Sequence, residues 1–214
     1  MPFRSKMTPI IDAMTRRPLG LTCGVLLLAL TLPLQGCAPL IVGGVLVGAT
    51  ATMHDRRSPQ VILEDQQIEF EAMSALVRNT DVRDHTQLSV TSYNRTLLIT
   101  GTAQSLELAE RATALVSVIP KVQRVVDEIQ VRAPLDIRRQ AEDAFISTRV
   151  NAELFKVRLP DFDPTRVKVV TSDAVVYLMG LVTPEEAEAA AETARYVPGV
   201  QRVVKLFEYI TPSA

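Results

Sequence analysis

The chain has 214 residues, 47% apolar but only 5% aromatic and without Trp, so aliphatic side chains and Ala must fill any core it builds. That apolar content, at a net charge of −1, excludes a wholly disordered chain, and the length suits one ordinary domain or two small ones. Two Cys, both near the N-terminus, exclude a disulfide framework for the body, and two His exclude a His-rich metal site.

Residues 1–36 read as a targeting leader: Arg16 and Arg17 supply a basic start, and 19–34 form a Leu-rich apolar stretch broken by Pro33. Met7 and Met14 are alternative starts. The stretch ends Leu34-Gln35-Gly36-Cys37, which resembles the lipobox of bacterial lipoproteins, with an aliphatic residue three before the Cys and a small one just before it; Gln35 departs from the usual residue. The resemblance implies diacylglycerol on the Cys37 sulfur, and Ala38 in place of Asp implies sorting to the outer membrane. A plain secretory signal with an incidental Cys is the alternative. Cleavage before Cys37 removes four basic residues and one acidic residue, taking the net charge from −1 to −4. No global attraction to nucleic acid or to an anionic membrane follows, so an anionic partner must be met by a local patch.

Residues 37–60 are expected to be an acylated, Gly-rich tether, whose apolar part, 40–53, is shorter than the ~20 residues that span a bilayer. The body then repeats itself. Val122-Gln123-Arg124-Val125-Val126 recurs as Val200-Gln201-Arg202-Val203-Val204, each after a Pro, and 88–101 matches 167–180. Two copies of this length indicate tandem domains, assigned to 61–132 and 136–211 with a short joint stiffened by Pro134.

In the first copy, apolar residues at Ile68, Ala72, Met73, Leu76 and Val77 predict a helix over 66–78 with those side chains inward. Alternation predicts strands over 88–92 and 97–100, joined by a turn at Tyr93-Asn94-Arg95. Gly101 is expected at a strand-to-helix turn, before a helix over 106–117 and a last strand over 122–131. The second copy predicts a helix over 138–155, strands over 167–171 and 175–182, a helix over 184–196 and a strand over 200–210. Thr183, Pro184 and the acids Glu185 and Glu186 make a strong helix start. The fold class is α+β: two tandem αββαβ modules, each a three-stranded mixed sheet with two helices on one face.

Val167-Lys168-Val169, Val176 to Thr183, Glu186-Ala187 and Gly199-Val200, together with the paired Gly101 and Gly180, resemble the BON domain. The leader, tether and module order together resemble dual BON-domain outer-membrane lipoproteins. That resemblance implies a non-enzymatic protein that binds phospholipid, particularly anionic lipid, supports outer-membrane integrity and gathers at the division site. It places the lipid surface on the first helix of the second module.

The residues of that helix can be read on their own. Ile146, Val150 and Leu154 form the core stripe, and Phe145 lies about 100° round from Ile146. Arg138, Arg149 and Lys156 fall within about 40° of Phe145, so an aromatic is expected to be ringed by three cations, the form of a peripheral lipid contact. Glu142 weakens this face. The alternative is that Phe145 packs on the first module or a sheet edge and the cations are an ordinary solvated face. A rival function is docking of an envelope partner, such as the outer-membrane assembly machinery, through this helix or a sheet edge.

No enzyme chemistry converges here. His54 and His85 are isolated, no Cys is left after lipidation, and Asp161 and Asp163 fit no calcium loop and suit a turn or cap. No cofactor and no metal are expected.

Overall fold

Ser58 accepts a hydrogen bond from the Val61 N–H and Pro59 occupies the first turn, so the first helix, α1 (Pro59–Arg78), begins well before residue 66. The computed structural model describes residues 55–211; Cys37, the leader and the tether up to residue 54 lie outside them. In chain order follow α2 (Thr80–His85), β1 (Thr86–Tyr93), β2 (Thr96–Ala103), α3 (Leu106–Ser117) and β3 (Arg124–Val131). The second copy contains α4 (Ile137–Leu154), a 3-10 turn (Pro164–Arg166), β4 (Lys168–Ser172), β5 (Val175–Val182), α5 (Pro184–Arg195) and β6 (Arg202–Tyr209). The short α2, capped by Asn79, was not expected from periodicity.

Each module is a three-stranded mixed sheet. β1 pairs antiparallel with β2 and β2 parallel with β3, and β4, β5 and β6 repeat that order. Strand alternation sends Leu97 and Ile99 of β2 into a core with Ile68, Ala72 and Leu76 of α1 and Ala112 and Val116 of α3. Val176 and Leu178 of β5 likewise meet Ile146, Val150 and Leu154 of α4 and Ala187, Ala190 and Ala194 of α5. The two long helices of each module cover one face of its sheet, as expected, and α2 adds Val82 to the first core.

The opposite faces meet each other. Leu98 and Tyr93 of the first sheet pack with Val175, Tyr177 and Met179 of the second, flanked by Val126, Val204 and Leu206. The layers therefore run helix, sheet, sheet, helix, and the central strands β2 and β5 are buried on both sides, which explains the near-continuous apolar run of β5. Polar bonds rim the seam. Tyr177 donates to Glu128 at 3.2 Å, Asn94 donates to Glu208 at 2.7 Å, and the Tyr93 hydroxyl donates to the Arg166 carbonyl at 3.3 Å. Burial pushes the Tyr177 phenol well above its ordinary value, and the neighbouring Glu128 adds to the shift.

Three expectations are corrected. Met73 and Val77 are exposed (40% and 48%), because the inward stripe of α1 runs through Asp65, Ile68, Ala72 and Leu76. Gly101 and Gly180 lie inside β2 and β5, not at strand-to-helix turns. A Cβ on Gly101 would run into the Gln87 carbonyl of β1, and one on Gly180 would stand 2.7 Å from the Arg166 carbonyl oxygen, so both mark close backbone approach. Residues 55–60, assigned to the tether, belong to the folded body. Arg57 pairs with Asp55 and Asp65 and stacks over the Tyr93 ring at 3.8 Å. Arg56 grips Glu186 of the second module through two hydrogen bonds, at 2.6 and 3.0 Å, and donates to the Leu181 carbonyl.

Candidate functional site

The site is built on α4. Asp136 caps its N-terminus by accepting from the Arg139 N–H, and Asp143, Ile146, Val150 and Leu154 fix its rotation by turning inward. One step round, Phe145 is left 57% exposed and belongs to none of the apolar clusters among the described residues. The Arg149 guanidinium lies over its ring, 4.4 Å from the centroid, and among the described residues no carboxylate pairs with that guanidinium. A bare cation is thus held against an exposed aromatic.

The other two cations do not join them. Arg138 pairs with Glu142 at 3.1 Å and Lys156 with Glu153 at 2.7 Å, each neutralised by a carboxylate close in the chain. Arg138 also stands about 10 Å before Phe145 along the helix, by the 1.5 Å rise per residue, and Lys156 lies past the helix end. The expected ring of three positive charges around Phe145 is therefore a line, with one free member at its centre. Arg139 turns aside to Asp173 and Glu142.

Two neighbouring features went unread in the sequence. Phe155, the C-cap of α4, and Tyr196, the C-cap of α5, are 69% and 71% exposed. Tyr196 shares with Arg149 a surface groove of about 420 Å³, also lined by Glu153, Thr193, Val197 and Pro198. The signal was available: an aromatic two residues before Pro198, at a helix end, has little core left to enter.

Among the described residues no cluster of His, Cys, Asp and Glu could hold a metal ion, and no helix is long and apolar enough to cross a membrane. Asp163 caps the 3-10 turn, and His85 contacts the Asp81 carbonyl in an exposed position. What the α4 surface offers is an exposed aromatic, one guanidinium unpaired among the described residues and an adjoining polar groove.

The BON-domain family model matches residues 64–133 and 142–211, the two modules described above. The chain belongs to the BON-domain family and carries two such domains in tandem. It is similar to the outer membrane lipoprotein DolP of Haemophilus influenzae, 29% identical over 86% of this chain and 94% of that one. It is also similar to a 21 kDa hemolysin of Actinobacillus pleuropneumoniae, 28% identical over 73% of this chain and 79% of that one. The C-terminal domain of CdsD, a type III secretion structural protein of Chlamydia trachomatis, aligns over 69% of this chain and 67% of its own, at 13% identity and a TM-score of 0.27, too low to define a shared arrangement.

Proposed function

We propose that this chain is a non-catalytic outer-membrane lipoprotein, acylated at Cys37 and held at the periplasmic face. In this reading its second module contacts anionic phospholipid and so supports outer-membrane integrity, including at the division site. The observation that carries it is the exposed Phe145 ring under the unpaired Arg149 guanidinium. The ring enters the headgroup boundary and the guanidinium meets a phosphate, a contact worth about 1 kcal/mol per basic residue near an anionic surface. Similarity to DolP over most of both chains supports the location and the anchor. Residues 38–54 can reach at most roughly 60 Å, ample for a body tethered at Cys37 to lay α4 on the same membrane.

The test uses the chain from residue 38 onward, which keeps both cores and the seam, mixed with vesicles of phosphatidylglycerol or of phosphatidylcholine. Wild type should prefer the anionic vesicles. Phe145→Ala and Arg149→Glu should each weaken that binding by about tenfold, as expected for ~1.4 kcal/mol. Unchanged binding in both variants sinks the reading. Palmitate labelling in cells should vanish in Cys37→Ala.

A second reading, docking of an envelope protein such as the outer-membrane assembly machinery, is favoured by a different surface. Leu63, Phe70, Met73 and Val77 form an exposed apolar stripe along α1, on the outer layer opposite α4. Were α4 not needed for vesicle binding or envelope function while Phe70→Ala abolished the latter, this reading would replace the first.

A further inference from the structure

The groove beside Phe145 is electrically two-ended. On one side stands the Arg149 guanidinium, unpaired among the described residues. One turn further along the same helix, and across the groove at the end of α5, are three features that favour a cation. The Glu153 carboxylate gives one oxygen to Lys156 and leaves the second without a partner among the described residues. The Tyr196 ring is exposed and already holds the Arg195 guanidinium 5.1 Å from its centroid. The C-terminal end of α5, at Thr193 to Val197, brings the negative pole of that helix to the groove. Thr193 donates its hydroxyl hydrogen to the Ala189 carbonyl, so its lone pairs remain free to accept.

A simple anion would engage Arg149 alone and leave the second Glu153 oxygen, the Thr193 hydroxyl and the Tyr196 ring, flanked by Lys156 and Arg195, without a ligand partner. The complementary ligand carries a phosphate and a cation on one short chain. We propose that the groove is a headgroup subsite for phosphoethanolamine lipids: phosphate on Arg149, primary ammonium between Glu153, Thr193 and the Tyr196 ring. A primary ammonium donates three hydrogen bonds to such acceptors, whereas a quaternary one donates none, so phosphocholine is the poorer fit. This rests on the membrane reading of α4 and adds selectivity to it. Phe145 and Arg149 set adhesion to lipid; Glu153 and Tyr196 set which headgroup is kept.

The experiment compares vesicles with the same phosphatidylglycerol fraction, diluted with either phosphatidylethanolamine or phosphatidylcholine, against the chain from residue 38 onward. Wild type should bind the ethanolamine mixture about fivefold tighter, the size of one modest charge-assisted contact. Glu153→Gln and Tyr196→Ala should each erase that difference. Tyr196→Ala should leave binding to the choline mixture within about twofold, since its ring is exposed and outside the core, whereas Glu153→Gln also frees Lys156 and should raise binding to both mixtures alike. Equal binding of wild type to the two mixtures overturns the subsite. So does a preference that survives in both variants, because looser lipid packing would then be its cause. In either overturning case, binding to phosphatidylglycerol that still depends on Phe145 leaves the membrane reading standing. As a second readout, glycerophosphoethanolamine should shift the Tyr196 ring and Arg149 side-chain NMR signals, and glycerophosphocholine should not.

Discussion

At the scale of single residues, the modules share a device that neither periodicity nor repeat matching revealed. Asp65 of α1 is buried and accepts the N–H groups of Asn94 and Arg95; Asp143 of α4 is buried and accepts those of Asp173 and Ala174. All four donors have positive φ, between 48° and 64°, so each hairpin turn is left-handed at both central residues. The aspartate pins a turn that non-glycine residues adopt reluctantly. In sequence it reads as one more solvated acid on an amphipathic helix, because its acceptors' partners are distant in the chain. Asp143→Ala strands one buried and one half-buried donor and should cost about 2–4 kcal/mol in urea unfolding, whereas replacing Glu142, which pairs only with Arg138 and Arg139, should cost less than about 1 kcal/mol. Gly101→Ala should be worse than Gly180→Ala, since only Gly101 combines a blocked Cβ with a φ of 121°. Thermal melts of the two variants would show it.

At the scale of elements, helix phase was mostly legible. Ile146, Val150 and Leu154 are buried as their spacing predicts, and Phe145 emerges one step away. Ile146→Ala should therefore cost about 2–5 kcal/mol of stability and Phe145→Ala less than about 0.5, a contrast that chemical denaturation can read and that separates folding from lipid contact. On α1 the phase slipped. Met73 and Val77 border the true stripe, and the inward Asp65 that completes it is polar, so hydrophobicity alone rotated the helix toward them. The pairing of Arg138 with Glu142 and of Lys156 with Glu153 was likewise hidden, because angular position says which charges share a face but not which carboxylates reach them. The groove joins α4 to the end of α5, elements some forty residues apart, and no local pattern carries such a junction.

At the scale of the molecule, the repeat announced two modules but not that their sheets lie back to back. The unalternating apolar run of β5 was its trace, since a strand covered on both faces need not alternate, whereas β2 buries Thr96, Thr100 and Thr102 and hid it. The seam is also strapped from outside by Arg56, which joins the residues ahead of α1 to Glu186 at the head of α5. Burial would raise the Glu186 carboxyl, but hydrogen bonds from Arg56 and the Thr183 N–H, with Arg166 nearby, hold it below its ordinary value. A depressed folded value means that this contribution is complete above about pH 4.3 and fades as pH falls through the folded value. Arg56→Ala should lose about 1–3 kcal/mol at neutral pH and show a shallower decline of stability in acid, as followed by denaturant midpoints.

The shared inner layer has a further meaning. Cut apart near Pro134, each half would turn Leu98 or Tyr177 and Met179 toward water, a greasy floor with no lid. Carrying both halves on one chain makes their docking intramolecular, so the seam forms at any protein concentration, as two separate halves could not ensure.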